Sequence, residues 1–187
     1  MKGRSANDPW WSELATRIEE VKKEPDYNEV EMMVVEAAHL LKARIRRGEY
    51  RTILAGIGAS SLAAWKAWYD LRREDYPVEL MAEAGFYDYM PKPDDPFIFN
   101  FRNIPTCTML TDIISVLGSM VGAESSRAIG ALGARQVDRF RSINSTKVPE
   151  YDLFLVGSGG ACDVALGAGE VLVAVIQDKL RTPERVP

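Results

Sequence analysis

The sequence predicts an α/β fold, with an open, mostly parallel sheet flanked by helices. Short apolar runs of strand length alternate with longer segments of helical periodicity, which is typical of parallel-sheet proteins. Glycine-rich turns follow two of the apolar runs, at Gly56–Gly58 and at Gly157–Gly160. The chain has 187 residues, of which 47% are hydrophobic, so it can bury one sizeable core.

Two helices are predicted before the first strand. The first begins with Asp8 as N-cap and ends at about Lys23. The second begins after Asn28, which is a good N-cap residue, and its apolar positions follow helical spacing. We therefore treat residues 1–27 as a helical N-terminal extension and residues 28–187 as the α/β domain.

Alternating elements are predicted in the rest of the chain. The strands are Thr52–Ala55, Val78–Ala82, Arg127–Val137, Tyr151–Val156 and Val171–Ile176. The helices are Ser60–Arg73 and Thr111–Met120, and a long Pro- and Asp-rich loop is predicted over Gly85–Pro96.

Composition and charge argue against several classes of partner. The formal net charge of -4 gives no electrostatic reason to expect binding to nucleic acid or to an anionic membrane. The two cysteines, Cys107 and Cys162, lack metal-ligand spacing and suit a reducing compartment. The first residues contain no apolar signal core, and no apolar run is long enough to span a bilayer. We expect a cytoplasmic protein.

The segment from Leu153 to Asp163 carries the strongest functional signal. An apolar run, interpreted as a buried strand, leads into the glycine turn Gly157-Ser158-Gly159-Gly160-Ala161. Because side chains are nearly absent there, several backbone N–H groups can approach one ligand and stabilise an oxyanion. A tight strand-to-helix turn without a ligand is the alternative interpretation.

Glu83 is a candidate catalytic carboxylate. It follows the predicted strand Val78–Ala82, and small residues surround it. Open α/β sheets place their sites at the carboxyl ends of strands. A solvated glutamate at a strand end is the alternative. The turn at Gly56–Gly58 lacks a full dinucleotide fingerprint and a P-loop lysine, so a tight crossover turn is favoured there.

Other chemistry-bearing residues give weaker signals. His39 is the only histidine, which excludes a His-dependent triad or a multi-histidine metal site within the chain, and we expect a structural role for it. Cys162 is interpreted as a small buried residue more readily than as a reactive thiol. No metal site is predicted.

Taken in order, these segments resemble the β subunit of class I CoA-transferases, of the glutaconate CoA-transferase type. The resemblance covers about residues 30–187. It is carried by Gly56-Ile57-Gly58, Glu83-Ala84-Gly85, Asp88, Gly133-Ala134-Arg135-Gln136-Val137-Asp138, Asn144-Ser145-Thr146 and Gly157-Ser158-Gly159-Gly160-Ala161. The fourth of these segments matches a Gly-Ala-x-Gln-Val/Ile-Asp pattern of the family. Where the family often has glycine and asparagine after the aspartate, this chain has Arg141 and Ser142.

The resemblance implies a CoA-transferase-like fold and a covalent mechanism. Glu83 would be the nucleophile, forming a mixed anhydride and then a glutamyl-CoA thioester. The groups implied in oxyanion and acyl-CoA binding are Gly157, Gly159, Gly160, Ala161 and Gln136, with possible support from Gly85, Asp88 and Asn144. A CoA thioester would be the substrate, with no permanently bound cofactor. An α-type subunit would be the partner in a heterotetramer or a larger assembly.

Two other functions remain open on the same fold. One is an acyl-CoA hydrolase that opens rings, or a decarboxylase of acyl-CoA substrates; the presence of Glu83 argues against this alternative without excluding it. The other is a non-catalytic partner chain that binds acyl-CoA, which the departures at Arg141 and Ser142 would favour.

Overall fold

The computed structural model describes residue 16, residues 26–91 and residues 101–187. Most of the predicted extension at residues 1–27 therefore lies outside the described residues, and so does the part of the predicted loop that follows Pro91. The fold below concerns the described ranges alone.

The first described helix, α1, spans Glu29–Arg46. Asn28 caps it as the sequence predicted: its side chain accepts a hydrogen bond from the Glu31 N–H, and the Glu31 carboxylate accepts one from the Asn28 N–H. Lys42 of α1 also pairs with Asp70 at 3.0 Å, which ties α1 to the next helix.

A six-stranded sheet forms the centre of the structure. Its strands are β1 Thr52–Ala55, β2 Glu79–Ala82, β3 Phe86–Tyr87, β4 Met109–Leu110, β5 Ala128–Gly133 and β10 Glu170–Ala174. They lie side by side in the order β10-β5-β1-β2-β3-β4. The first four in that order are parallel to one another, and β3 and β4 extend one edge as antiparallel strands. The predicted α/β class with a mostly parallel sheet is confirmed.

Helices cover both faces of this sheet. Helix α2, Ala59–Arg73, connects β1 to β2 and packs with α1 over one face. On the other face lie a π-helical segment, Ser115–Val121, and the short helix α3, Ala161–Gly167. The apolar side chains that alternate along the central strands are thus buried from both sides, as expected for parallel strands.

Two small hairpins lie apart from the main sheet. The first pairs β6 Gln136–Val137 with β7 Ile143–Asn144, and the second pairs β8 Lys147–Val148 with β9 Leu153–Phe154. Two 3₁₀ helices, Phe101–Thr106 and Pro149–Tyr151, complete the described elements.

The predicted buried strand Tyr151–Val156 is wrong. Only Leu153–Phe154 is a strand, and it pairs with β8 instead of joining the sheet. The backbone N–H groups of Leu155 and Val156 donate to the carbonyls of Thr146 and Ser145. Phe154 is 66% exposed, so this apolar run lies on the surface of the chain and not in its core.

Three other boundaries differ from the prediction. The strand predicted over Arg127–Val137 ends at Gly133, because Gln136 and Val137 turn away to pair with β7. The loop predicted from Gly85 contains β3, which folds back on β2. The helix predicted over Thr111–Met120 is largely π-helical, and its last hydrogen bond runs from the Gly122 N–H to the Leu117 carbonyl at 2.9 Å.

Within the described ranges, no helix combines the length and apolar character that crossing a membrane requires.

Candidate active site

The topology brings three loops together at the carboxyl ends of the central strands. The chain continues from β1 to β2 on one side of the sheet and from β5 toward β10 on the other, so the strand order reverses between β1 and β5. Open α/β sheets form their ligand crevices at such points. The loops after β1, β2 and β5 meet there, together with the glycine turn before α3.

A cavity of about 460 Å³ opens at these carboxyl ends. Its walls are made mainly of small and apolar residues, with serines and two ionisable side chains. The lining residues are Gly56, Ile57, Gly58, Ala59, Glu83, Leu132, Gly133, Ala134, Arg135, Ser145, Val156, Gly157, Ser158, Gly159, Gly160 and Ala161. The volume falls within the range of small-molecule sites. The turn at Gly56–Gly58, which the sequence indicated as a simple crossover, therefore contributes to the cavity wall.

Glu83 and Gly160 are in direct contact. A Cβ added to Gly160 would lie 2.4 Å from Oε2 of Glu83, so a side chain at residue 160 would displace this carboxylate. Burial raises the pKa of Glu83; the Gly160 backbone N–H lowers it in part, and the negative charge of Asp163 raises it further. Among the described residues no lysine or arginine forms an ion pair with Glu83. The carboxylate is therefore partly dehydrated, yet not neutralised by a cation.

Some backbone N–H groups of the glycine turn already donate to carbonyls of the chain. The Gly157 N–H donates to the Ser145 carbonyl at 2.9 Å, and the Ala161 N–H donates to the Ser158 carbonyl at 3.0 Å. The N–H groups of Ser158 and Gly159 make no hydrogen bond within the described part of the chain. Positive φ angles at Gly157 (91°) and Gly159 (50°) shape this turn, and glycine adopts them without steric cost.

Gln136 and Asn144 lie behind the cavity wall and do not line it. The Asn144 side-chain amide donates to Gln136 Oε1 at 2.7 Å and to the Lys147 carbonyl at 2.8 Å, and the Gln136 amide donates to the Leu180 carbonyl. Next along the chain, the Ser145 carbonyl accepts the N–H groups that start the glycine turn. The arrangement fits a role in holding that turn in place.

Gly85 and Asp88 make contacts that stabilise the local fold. A Cβ on Gly85 would lie 2.0 Å from the Thr111 carbonyl oxygen, and its φ of 97° closes the turn from Glu83 into β3. Asp88 pairs with Arg72 at 3.2 Å and accepts a hydrogen bond from the Thr108 hydroxyl. Asp88 is not part of the cavity wall.

The Asp138 carboxylate organises the turn that follows it. Asp138 Oδ1 accepts the N–H groups of Phe140 and Ser142, and Oδ2 accepts that of Val186. Arg141 occupies the left-handed region at a φ of 72°, where the family often has glycine. Burial alone would raise the pKa of Asp138, but these backbone donors hold it below its usual value.

Two residues differ from what the sequence indicated. Cys162 is exposed and not buried, because the side of α3 that carries Val164 is the side that packs on the sheet. Leu117, on the π-helical segment, was not identified as a site residue. Its Cδ1 lies 2.9 Å from the Cβ position of Gly160, next to Glu83. An apolar residue in a helical pattern gave no signal that could have identified it.

No group of three or more histidine, cysteine, aspartate or glutamate side chains in the described ranges could hold a metal ion.

No protein-family model matches the chain. One curated relative, the B subunit of 3-oxoadipate CoA-transferase from Pseudomonas knackmussii, is 46% identical over 52 residues, which are 26% of this chain and 20% of that protein.

Solved structures share the fold. Glutaconate coenzyme A-transferase from Acidaminococcus fermentans matches with a TM-score of 0.64 and 20% identity, covering 86% of this chain and 60% of that chain. A single-residue variant of the decarboxylase AibA/AibB matches with a TM-score of 0.61 and 16% identity, covering 80% of this chain and 63% of that chain. The chain thus spans less than two thirds of the length of these relatives.

Proposed function

Because these comparisons confirm the resemblance to the class I CoA-transferase family, β-subunit type, we propose that the chain is the β-like subunit of a heteromeric acyl-CoA:carboxylate CoA-transferase. Glu83 is the covalent nucleophile in this proposal. The observation that carries it is the contact between the Glu83 carboxylate and Gly160 inside the cavity.

The proposed first step is attack on an acyl-CoA thioester. An Oε atom of Glu83 forms a bond to the thioester carbonyl carbon, the C–S bond breaks, and CoA leaves as a thiolate. The product is a mixed anhydride between Glu83 and the acyl group. The thiolate then attacks the Glu83 carbonyl, the acyl group leaves as a free carboxylate, and a glutamyl-CoA thioester remains. An incoming carboxylate reverses these steps and leaves as the new acyl-CoA.

Two features of the site support this chemistry. Glu83 is partly dehydrated and lacks a cationic partner in the described residues, so its carboxylate retains nucleophilic charge. Ser158 and Gly159, whose N–H groups make no hydrogen bond in the described part of the chain, line the same cavity, and such donors stabilise the oxyanion of each tetrahedral intermediate. In this proposal the CoA thioester is a substrate and no cofactor stays bound.

The partner in this proposal is an α-type subunit that supplies further surface for CoA. The matched curated protein is named as a B subunit, and the matched decarboxylase is named as a pair, AibA/AibB. Among the described residues that line the cavity, Arg135 is the single cation, which is too little charge for the phosphates of CoA. A second chain with basic residues at this edge of the sheet would supply the rest.

The test is trapping of the covalent intermediate. The chain is tagged in its host, purified with the proteins that accompany it, incubated with an acyl-CoA and reduced with borohydride. Mass spectrometry is expected to find the side chain of Glu83 reduced to an alcohol. Glu83→Ala is expected to lower transfer by at least about 10⁴-fold, whereas Glu170→Ala, outside the cavity, retains it. Transfer that survives Glu83→Ala would overturn the proposal.

A decarboxylase is the second candidate, favoured by the fold match to AibA/AibB. The transferase, hydrolase and decarboxylase reactions differ in what they require and release. A transferase turns over only when an acceptor carboxylate is added, a hydrolase turns over in water alone, and a decarboxylase releases CO₂ without an acceptor. Measuring free CoA, CO₂ and the acyl-CoA formed from the acceptor, with and without acetate or succinate, separates all three.

A further inference from the structure

The bridging segment, defined as residues 111–122, contacts both sides of the candidate site. It contains the π-helical turns Ser115–Val121. At its start the Thr111 N–H donates to the Gly85 carbonyl at 2.9 Å, in the turn that follows Glu83. The bridging segment is therefore tied to the loop that carries the proposed nucleophile.

The last residue of α3, Gly167, packs directly on the backbone at the end of the bridging segment. A Cβ added to Gly167 would lie 2.8 Å from the Gly122 Cα and 3.3 Å from the Gly122 nitrogen. These are backbone atoms, so no side-chain rotation can make room for a methyl group. Alanine is a better helix former than glycine, so helix propensity does not account for glycine here. The close approach depends on the absence of a side chain at residue 167.

Leu117, in the middle of the bridging segment, contacts the other end of α3. Its Cδ1 lies 2.9 Å from the position of a Cβ on Gly160, beside the Glu83 carboxylate. The Leu117 carbonyl also accepts the Gly122 N–H at 2.9 Å, which fixes Leu117 relative to Gly122. Because α3 has seven residues and is only about 10 Å long, a shift at Gly167 is carried along the helix to Gly160.

We infer that Gly167 is a positioning residue, whose contact with Gly122 sets the distance between the glycine turn and the Glu83 carboxylate. The inference rests on the proposed function, in which that carboxylate attacks a thioester beside the N–H groups of the turn. Non-bonded carbon atoms need about 3.5 to 4 Å, whereas a Cβ at residue 167 would have 2.8 Å. A methyl group there would displace α3 by about 1 Å, and a displacement of that size lowers a rate about 100-fold.

The test is the rate constant for forming the glutamyl-CoA thioester. The tagged complex is mixed with excess acetyl-CoA or succinyl-CoA, whichever traps Glu83 in the wild type, and samples are quenched with borohydride over time. The rate constant reports positioning, whereas the amplitude reports the fraction of complex that is folded and active. Gly167 has no positive φ, so alanine does not strain its backbone. Gly167→Ala is expected to lower the rate constant about 100-fold and to retain the amplitude and the half-saturating acyl-CoA concentration.

A neighbouring control and a double variant sharpen this test. Leu166 precedes Gly167 in α3 and is 89% exposed, so Leu166→Ala should keep the wild-type rate constant. Gly160→Ala and Gly167→Ala are expected to act through the same displacement of the glycine turn from the carboxylate. The decrease in the double variant should therefore stay well below the product of the two single effects, whereas independent effects would multiply.

Gly122→Ala is a second variant in case Gly167→Ala gives no folded complex. Its Cβ would lie 2.9 Å from the Leu117 carbonyl oxygen and 3.1 Å from that of Gly118, so it disturbs the same contact from the bridging segment. We expect the same fall in the rate constant. If neither variant gives a folded complex, the contact is required for folding, and the inference is rejected.

Two further results would overturn the inference alone. One is a wild-type rate constant in Gly167→Ala, and the other is a decrease confined to the amplitude, which would assign Gly167 to folding. Both presuppose that borohydride reduces Glu83 in the wild type. If it does not, the proposed function itself is rejected, and this inference with it.

Discussion

The Oε2 atom of Glu83 lies 2.4 Å from the position that a Cβ on Gly160 would occupy. The catalytic candidate and the glycine turn are thus in contact, although they belong to different elements. Glu83 follows β2, whereas Gly160 is the N-cap of α3. The position of the carboxylate therefore depends on the absence of a side chain at residue 160.

Gly160→Ala is expected to abolish most activity while the protein still folds. The φ of Gly160 is -81°, which alanine adopts easily, so the backbone is not strained. The new methyl group would meet Oε2 of Glu83 and Cδ1 of Leu117 at 2.9 Å, both at the ends of flexible side chains. We expect a stability loss of about 1 kcal/mol and a decrease in kcat of about 100-fold from displacement of the carboxylate.

The matched control for this change is Gly118→Ala. Gly118 lies in the π-helical segment, and a Cβ there would meet nothing within 4 Å. Thermal unfolding and steady-state transfer rates would be measured for both variants. Wild-type kcat in Gly160→Ala would mean that the carboxylate does not act from the observed position.

Glu83→Gln is expected to stabilise the protein at neutral pH. The folded pKa of Glu83 is raised, so the folded state holds this proton more tightly than the unfolded state does. Stability is therefore lost as the pH rises from the unfolded pKa, about 4.3, through the folded pKa. Glutamine removes this cost, and we expect a gain on the order of 0.5 kcal/mol because the carboxylate is only partly buried.

The measurement is thermal unfolding at two pH values. Glu83→Gln should unfold at a higher temperature than the wild type at pH 7, and the difference should vanish near pH 4. Glu36→Gln, on the exposed side of α1, serves as the control and should leave the unfolding temperature unchanged at both pH values. A loss of stability at pH 7 in Glu83→Gln would contradict the prediction.

Leu117→Ala is expected to shift the pH dependence of the reaction. Leu117 is 8% exposed and helps to exclude water from Glu83 and Gly160. Without it, water reaches the carboxylate and the pKa of Glu83 falls toward its usual value. The acid limb of kcat/KM should then move to lower pH, and the protein should lose about 3 kcal/mol of stability.

Val121→Ala separates the shift of the acid limb from the loss of stability. Val121 is fully buried at the end of the same π-helical segment, in the same apolar cluster. We expect a comparable loss of stability of about 2 kcal/mol but no shift of the acid limb. An identical shift in both variants would mean that Leu117 acts only through the general stability of the segment.

Much of the first half of the fold could be predicted from the sequence. Helix α1 follows from the cap at Asn28 and from apolar residues at helical spacing, and β1, α2 and β2 follow from equally local patterns. Glu83 could be selected as a candidate for the same reason: a short apolar strand ends immediately before it, and small residues follow.

The second half could not be predicted to the same depth. The run before the glycine turn is as apolar as a buried strand, but its partners are β8 and the carbonyls of Ser145 and Thr146, which local composition does not reveal. The π-helical form of Ser115–Val121 and the contact of Leu117 with the Gly160 position depend on packing between segments that are distant in the chain.

The sequence by itself determined the α/β class, the order of the central elements and the residue types available at the site, because capping and hydrophobic periodicity act over a few neighbouring residues. Only the tertiary structure decided that Glu83 meets Gly160, that Gln136 and Asn144 stand behind the cavity wall, and that Arg135 lines it. Those relationships arise when parallel strands align their carboxyl ends, and strand order is set by packing across the whole sheet.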